Sequence, residues 1–430
     1  MNFENTRTFA QKLDEQNELK HFRSQFHIPK HGEKNSIYFT GNSLGLQPLK
    51  ATDYVLREME DWARLGGEGH TDARQPWIPY HEIFPGQLSR IIGCQPDEVV
   101  VMNSLTVNLH LLMVSFYAPT PQRYKIIMEH KAFPSDQYAV ESQVKFHGFD
   151  PKESVIEIKP RPNEQTIRHE DILAAINEHA DSLALVLFGG VNYYTGQVFN
   201  MQSITQAAHH AGALAGFDLA HAAGNIELNL HDWDVDFACW CTYKYLNSGP
   251  GGVGGAFIHQ RHIADKSLNR FAGWWGYKKE TRFLMDAGFD PIPTAEGWQL
   301  SNAPVLSMAV HKAAIELIDE AGMSNLSAKG RQLSAYLIFI LKELAAKFPE
   351  DEISIITPEN ESERGCQVSF IIKKEGKKVF EKLVAQGVSA GWREPEVIRV
   401  APVPLYNTFE EIWEFGEMIN KILAGSTVNA

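Results

Sequence analysis

Short apolar runs alternate with amphipathic runs through the middle of the chain. The apolar runs predict strands at residues 99–102, 124–128, 154–158, 183–188, 213–217, 237–241 and 255–259. The amphipathic runs predict helices at residues 107–116, 134–145, 170–179 and 204–211. Several strand segments are apolar throughout, as in a parallel sheet covered on both faces. The pattern predicts an α/β domain with a mostly parallel sheet, spanning residues 61–304.

The pattern changes after Pro304. Two long amphipathic helices extend to about residue 348, and short strands such as 368–372 and a closing helix from about Thr408 follow. Residues 1–60 contain a polar amphipathic helix and one short strand. We expect residues 1–60 and 305–430 to form together a smaller α+β domain.

Charge and cysteine content restrict the partners. Lys and Arg total 40 against 53 Asp and Glu, which gives a net charge of −13. Nucleic acids and anionic membranes bind proteins with basic surfaces, so this charge argues against either as the main partner. The first residues lack an apolar signal core, and no run of about 18 apolar residues occurs. The four cysteines, Cys94, Cys239, Cys241 and Cys366, are too few and scattered for a disulfide framework. We therefore expect a cytoplasmic protein that binds neither nucleic acid nor membrane.

A glycine-rich stretch at residues 249–254 matches the dinucleotide-binding pattern G-x-G-x-x-G. That pattern needs a helix after the glycines, so that the helix N-terminus meets the pyrophosphate. Here the glycines precede the predicted strand at 255–259. We therefore do not expect a nicotinamide or flavin cofactor.

Two polar side chains follow apolar strands. Asp218 and His221 come after the strand at 213–217, and Lys244 comes after the strand at 237–241. Open α/β sheets bind ligands at such strand ends. The aspartate and histidine could ligate a metal, but no third ligand stands at a recognisable spacing, so we expect none. Structural ion pairs, with an arginine for Asp218 or an acid for Lys244, remain an alternative.

A single cofactor explains Asp218 and Lys244 together. Pyridoxal phosphate needs a lysine amine for its aldehyde and an acid against its pyridine nitrogen. Residues 103–106 open a predicted helix, whose free N–H groups attract phosphate, although an ordinary N-cap has the same sequence. Phe133 could stack on the pyridine ring, or be an ordinary core residue. The set of features, rather than any one of them, predicts pyridoxal 5'-phosphate.

Longer strings carry a family resemblance. They are YFTGNSLGLQP near residue 40, TVNLHLLM near 110, KAFPSD at 131–136, YYTGQ at 193–197, FDLAHAAGN from 217, DFACWCTYKYLNSG from 236 and RVAPVPLYN at 399–407. The chain resembles the kynureninase family over nearly its whole length. The resemblance implies a fold-type-I pyridoxal phosphate enzyme, with the aspartate aminotransferase-like fold of the class V aminotransferase group.

The resemblance also implies the reaction and the assembly. The family hydrolyses L-kynurenine, and often 3-hydroxy-L-kynurenine, to an anthranilate and L-alanine, in tryptophan catabolism and the synthesis of nicotinamide nucleotides. It implies a homodimer with active sites at the subunit interface. The choice between the two substrates, and between the two pathway roles, stays open.

The site residues implied by the resemblance fall into three groups. The catalytic ones are Lys244, which bonds to the cofactor, and Asp218 at the ring nitrogen, while Tyr243 reaches the phosphate. Our own hypothesis is that the freed Lys244 moves the α-proton and that Tyr243, next to it in the sequence, is the catalytic proton donor. The cofactor-binding ones also include Leu105, Thr106, Phe133, Pro134, Ser135, Asp136, His221, Trp274 and Asn302. The substrate-binding ones are Arg399 for the α-carboxylate and His70, Ser43 and Asn302 near the aryl ketone.

One position departs from the family pattern. Gly189 stands where a small hydroxyl side chain is expected beside the cofactor. A cysteine desulfurase or an aminotransferase remains an alternative enzyme, although Cys366 looks like a strand residue rather than a mobile nucleophile. A binding protein that kept the fold without turnover is the non-enzymatic alternative.

Overall fold

The computed structural model describes residues 2–265 and 267–425. The α-helices in these residues are α1 (Arg7–Glu15), α2 (Lys50–Leu65), α3 (Gly69–Asp72), α4 (Pro85–Ile92), α5 (Leu105–Phe116), α6 (Pro134–Phe146), α7 (Pro151–Ser154), α8 (His169–Glu178), α9 (Met201–His210), α10 (Gln260–Ile263), α11 (Val305–Ala321), α12 (Met323–Lys347), α13 (Gly376–Ala385) and α14 (Phe409–Leu423). No helix among the described residues has the length and apolar character needed to cross a membrane.

The described residues also form strands, several of which have only two residues. They are β1 (Phe26–His27), β2 (Lys30–His31), β3 (Lys34–Asn35), β4 (Ile37–Tyr38), β5 (Gln47–Pro48), β6 (Val99–Val101), β7 (Lys125–Glu129), β8 (Val155–Ile158), β9 (Leu183–Gly189), β10 (Leu214–Asp218), β11 (Phe237–Trp240), β12 (Gly255–Ile258), β13 (Ile353–Ile355), β14 (Val368–Ile372), β15 (Val388–Ser389), β16 (Gly391–Arg393) and β17 (Val397–Val400).

The central sheet has seven strands in the order β6-β12-β11-β10-β9-β7-β8. Strand β12 runs antiparallel to both of its neighbours, and the other neighbouring pairs are parallel. The strands and helices predicted between residues 99 and 259 therefore occur, each within a few residues of its predicted bounds. The glycine-rich stretch at 249–254 runs into β12, as expected from the sequence.

Both faces of this sheet are covered. Along β7, Ile127 packs in one apolar cluster, with residues of α4, α8 and α9, while Ile126 and Met128 pack in another, with residues of α5 and α6. Alternate side chains of a strand point to opposite faces. The sheet is therefore the middle layer of an α/β/α sandwich, which explains why its strands read as uniformly apolar.

The C-terminal part builds a second sheet, in the order β13-β14-β17-β16, with antiparallel neighbours. Its apolar side chains share a cluster with residues of α12, α14 and α1. Asp14, at the end of α1, accepts hydrogen bonds from the first backbone N–H groups of α14, at 2.8 and 2.9 Å. The chain's first helix is thus attached to its last.

The N-terminal segment is more complex than predicted. Its described residues hold α1, a 3-10 helix (Lys20–Gln25), most of α2 and five two-residue strands, instead of one helix and one strand. Strand β4 pairs with β15, more than 300 residues away in the sequence, so a local pattern could not reveal it. Helix α11 contributes Met308 and Ile315 to the apolar cluster of the larger sheet. The domain boundary after residue 304 stays a prediction.

Candidate active site

Three neighbouring parallel strands end in residues that meet at one edge of the sheet. Strands β7, β9 and β10 end at Glu129, Gly189 and Asp218, and Asp218 is in register with Gly189. This edge opens into a cavity of about 150 Å³. Its lining consists of Ser104, Leu105, Thr106, Glu129, Phe133, Ser135, Asp136, Gly189, Val191, Tyr193, Asp218, Ala220, His221, Tyr243 and Lys244. The carboxyl ends of parallel strands are the usual ligand-binding edge of such folds.

Lys244 is half-buried and lies four residues beyond the end of β11. Its Nζ is 5.8 Å from the ring centre of Phe133 and 5.7 Å from that of Tyr243. The N–H of Gly45 donates to the carbonyl of Tyr243 at 2.8 Å, and a Cβ at residue 45 would lie 2.4 Å from the carbonyl oxygen of Lys244. A glycine at 45 therefore lets the N-terminal segment pack directly on the backbone that carries the lysine.

Asp136 and Asp218 form a buried carboxyl pair. Burial raises the pKa of both, and the mutual repulsion raises that of Asp136 further. Lys244 and the N–H of Ala220, which donates to Asp218 Oδ1 at 2.7 Å, oppose the rise at Asp218. The pKa of Asp136 is therefore raised further than that of Asp218, whose carboxyl interacts with the positive charge of Lys244.

The N-terminus of α5 forms another wall of the cavity. Leu105 and Thr106 lie in its first turn, where backbone N–H groups have no partner within the helix. The cap residue Ser104 has an extended backbone, and its side chain makes no capping bond. A Cβ at Gly254 would lie 3.2 Å from the nitrogen of Leu105, so glycine allows β12 to approach this turn closely. Free N–H groups at a helix start attract an anion such as phosphate.

His221 is buried, and its Nδ1 has no hydrogen-bond partner among the described residues. Burial lowers the pKa of His221 well below its ordinary value, and the positive charges of Lys244, Arg399 and Arg393 lower it further. The imidazole is therefore neutral at physiological pH. It offers one free ring nitrogen at the cavity wall.

Arg399 lies in β17 and is 2% exposed. Its Nη1 donates to the carbonyl of Tyr193, a cavity residue, and its Nε has no partner among the described residues. Burial, and then the neighbouring Arg393, lower the pKa of Arg399 to about 10, so the guanidinium remains charged at neutral pH. A buried guanidinium with a free N–H group is a strong receptor for a carboxylate.

The structure assembles most of the predicted residues but not all of them. Pro134 begins α6 between two cavity residues, Phe133 and Ser135. Ser43 is exposed and lies two residues before Gly45. His70, Trp274 and Asn302 are also exposed and do not line the cavity of their own chain. Trp274 instead donates from Nε1 to the carbonyl of Arg282 at 3.2 Å.

Sequence reasoning missed Glu129 and Asn192. Glu129 lines the cavity, and its Oε2 accepts a hydrogen bond from Asn192 Nδ2 at 2.6 Å. Glu129 follows an apolar strand directly, which is the signal that identified Asp218, so the same rule applied to β7 would have found it. Asn192 stands three residues after a strand and carries no such signal.

Cys366 lies in a bend two residues before β14, so its assignment to a strand is corrected. It is fully buried, and burial raises the pKa of its thiol to about 12. A mobile thiolate nucleophile requires exposure and a lowered pKa. Cys366 therefore lacks the properties that a desulfurase nucleophile needs.

The residues that surround the cavity fit pyridoxal phosphate. The cavity combines a lysine, a buried aspartate, an aromatic ring and the start of a helix, which are the groups that the aldehyde, the ring nitrogen, the ring face and the phosphate require. Asp136 Oδ1 and His221 Nδ1 are buried polar atoms at this cavity with no partner among the described residues. Such atoms cost free energy unless a ligand satisfies them.

Solved structures define the class of protein. The cysteine desulfurase CsdA from Escherichia coli superimposes with a TM-score of 0.76 at 14% identity, over 95% of this chain and 99% of that one. A variant of the cystine C–S lyase C-DES, with glycine covalently linked to its PLP cofactor, gives a TM-score of 0.74 at 18% identity, over 94% and 98% of the two chains. The chain has the fold of pyridoxal phosphate-dependent enzymes of the class V aminotransferase type.

Sequence relatives then give the family. Residues 326–419 match the kynureninase C-terminal domain. The kynureninase of Flavobacterium psychrophilum is 57% identical over 98% of this chain and 99% of its own length. That of Myxococcus xanthus is 51% identical over 96% of each chain, and that of Rattus norvegicus 46% over 98% and 94%. The chain belongs to the kynureninase family, and it is a pyridoxal phosphate-dependent enzyme.

Proposed function

We propose that the chain hydrolyses L-kynurenine, and also 3-hydroxy-L-kynurenine, at the Cβ–Cγ bond. Water adds across this bond, and the products are anthranilate or 3-hydroxyanthranilate and L-alanine. Relatives named as kynureninases, which match nearly the full length, support this activity. The observation that carries it at the level of the site is the meeting of Lys244 and Asp218 in one cavity at the sheet edge.

Pyridoxal phosphate, when bound, supplies an acceptor for the electrons released at the substrate's α-carbon. Lys244 would attach it through Nζ, Asp218 would pair with the ring nitrogen, and Phe133 would stack on the ring. Asp218 suits this role because its carboxyl is buried in the cavity and interacts with the positive charge of Lys244. At about 4 Å and an effective dielectric of 20, a carboxylate stabilises a ring cation by roughly 4 kcal/mol.

Two side chains are placed to move protons. The amine of Lys244 takes the substrate's α-proton. The hydroxyl of Tyr243 donates a proton to the carbon that leaves as alanine. Burial, and then the neighbouring Cys241, raise the pKa of Tyr243 above its ordinary value, so the phenol keeps its proton at neutral pH.

Arg399 holds the substrate's α-carboxylate. Its charge is buried and its Nε has no partner in the part of the chain that the structure describes, and a planar guanidinium binds a carboxylate through two parallel hydrogen bonds. His70, Ser43 and Asn302 are assigned to the aryl end of the substrate, as implied by the family resemblance.

The working unit is a homodimer with shared active sites. Apolar side chains on and next to α2 are exposed, as are those of the segment from 271 to 285: Leu49, Leu56, Met59, Trp62, Phe271, Trp274, Phe283, Leu284 and Met285. Exposed apolar surface of this kind marks interaction sites. In this dimer, Trp274 and Asn302 of each subunit reach the cavity of the other subunit. This explains why the two residues lie outside the cavity of their own chain.

The compartment we propose is the cytoplasm. Cys94, Cys239, Cys241 and Cys366 are free thiols. Unpaired cysteines are typical of proteins in reducing compartments.

The assignment is tested by trapping the cofactor and by measuring turnover. Borohydride reduction of the holoenzyme followed by peptide mapping should place the label on Lys244, and fluorescence should report anthranilate formed from kynurenine. Lys244→Ala should remove both signals, whereas Lys374→Ala, at an exposed position, should remove neither. A label on another side chain, or wild-type turnover by the Lys244→Ala protein, would overturn the proposal.

A further inference from the structure

Glu129 is a buried carboxyl group at the cavity that the proposed mechanism does not use. It is the last residue of β7 and is 3% exposed. It lines the same cavity as Lys244 and Asp218. A buried carboxyl at a ligand-binding edge is costly unless it has a role or partners.

The partners of Glu129 hold it in one place. Its Oε2 accepts from Asn192 Nδ2 at 2.6 Å, and its Oε1 accepts from the backbone N–H of Gly189 at 3.2 Å. Burial raises the pKa of Glu129 to about 7, against the lowering effect of these two bonds. At neutral pH a large fraction of the carboxyl is therefore protonated and able to donate a hydrogen bond.

Glu129 and Gly189 are matched to each other. A Cβ at residue 189 would lie 2.7 Å from Glu129 Oε1, closer than real Cβ contacts allow. The carboxyl thus fills the space that a side chain at 189 would occupy. Position 189 is also where the sequence lacks the hydroxyl expected beside the cofactor.

We propose that the carboxyl group of Glu129 takes the place of a side chain at position 189. Asn192 and Gly189 hold this carboxyl group, which contacts bound pyridoxal phosphate at this wall of the cavity and positions the pyridine ring. Glu129 is a positioning residue, and the reacting bonds are left to Lys244 and Tyr243. The inference rests on the proposed function, because it needs the cofactor in this cavity and attached to Lys244.

The first test measures the affinity of the apo-protein for pyridoxal phosphate. Glu129→Ala should weaken binding about tenfold, the effect of one lost hydrogen bond of about 1.4 kcal/mol. Gly189→Ser should also weaken binding, because the serine Cβ clashes with the carboxyl. The double variant Glu129→Ala/Gly189→Ser should bind pyridoxal phosphate more tightly than Glu129→Ala alone. In the double variant the serine hydroxyl has room at the cavity wall and can contact the ring.

The second test separates a cofactor contact from a purely structural role. The absorption spectrum of the bound cofactor should change with pH around neutrality. Glu129→Gln keeps the size of the side chain but cannot ionise, so it should remove the part of this spectral change that the ionisation of Glu129 causes. Glu157→Gln is the matched control: Glu157 lies in the neighbouring strand β8, bonds to His130 and does not line the cavity. Thermal unfolding of each apo-protein shows whether it has folded.

The outcomes distinguish this inference from the proposed function. If reduction maps the cofactor to Lys244 but Glu129→Ala binds it with wild-type affinity and Glu129→Gln keeps the wild-type pH profile, the role of Glu129 is wrong and the proposed function stands. If the wild-type protein itself is not labelled at Lys244, the proposed function fails. Should Glu129→Ala not fold, Gly189→Ser and Glu129→Gln still decide the matter.

Discussion

Three buried carboxyl groups face the cavity, those of Glu129, Asp136 and Asp218. Burial raises the pKa of each of them. Lys244 offsets part of this negative charge, and a ligand that brings a cation among these groups would offset more. A protonated pyridine ring is such a ligand, so the charge of the cavity favours the cofactor form that withdraws electrons best.

Tyr243 allows a prediction at the scale of a single residue. Tyr243→Phe should lower kcat about 10²- to 10⁴-fold, the usual contribution of a positioned proton donor, and should leave KM within a few-fold. The reason is that the ring remains while the protonated hydroxyl is lost. Steady-state and rapid-reaction kinetics measure this, with Tyr138→Phe, at an exposed position, as the control. Unchanged proton-transfer rates in Tyr243→Phe would exclude the role.

Helix α11 links the C-terminal part to the segment that follows Lys244. Its fully buried His311 bonds through Nδ1 to the hydroxyl of Ser248 at 2.7 Å. Ser307, one turn earlier, accepts the backbone N–H of Val253 through its hydroxyl at 3.0 Å. Helix α11 therefore holds in place the glycine-rich stretch at 249–254, which connects Lys244 to β12.

The same helix gives a pH-dependent prediction. Burial lowers the pKa of His311 from its ordinary 6.5 to about 3. Below pH 6.5 His311 binds a proton in the unfolded chain but stays neutral in the folded chain. The free energy of unfolding therefore falls as the pH falls. The loss approaches 1.4 kcal/mol per pH unit, or about 2 kcal/mol between pH 7.5 and 5.

His311→Gln should remove this component, because glutamine does not titrate. Urea unfolding from pH 7.5 to 5 should show a shallower pH dependence for His311→Gln than for the wild type. The exposed His210→Gln should keep the wild-type slope. Equal slopes in wild type and His311→Gln would mean that His311 is protonated in the folded chain.

The assembly of the whole molecule is tested at its exposed apolar face on α2. Met59 and Trp62 are 41% and 58% exposed, and replacing both with Glu should produce monomers in sedimentation experiments, because each buried charge opposes association. Phe146→Glu, at a 76% exposed site on α6, should leave the oligomeric state unchanged. A wild-type monomer would contradict the proposed dimer.

Sharing of sites between subunits has its own test. Lys244→Ala should be inactive alone, and Trp274→Ala should be weakly active alone. After the two proteins exchange subunits, a mixed dimer contains one site with an intact Lys244 and the partner's intact Trp274, so part of the activity should return. Native mass spectrometry confirms the exchange, and exchange without recovery would show that Trp274 serves its own chain or neither site.

Local patterns in the sequence determined most of the larger sheet. The strands from β6 to β12, apart from the half-buried edge strand β8, are buried on both faces, so they appear as apolar runs, and helices separate those from β6 to β10. Asp218 and Lys244 could be found because a charged residue at the end of such a run, or within a few residues of it, is rare and costly. These features depend on neighbours in the sequence, which is why the sequence by itself was sufficient.

Only the tertiary structure decided the features that join distant residues. The pairing of β4 with β15, the interaction of the Asp136 and Asp218 carboxyls, and the fit of the Glu129 carboxyl over Gly189 each depend on the distance between segments far apart in the chain. The placement of Trp274 away from its own cavity belongs to the same group. Such contacts arise from packing, and packing distances leave no periodic signal in the order of residues.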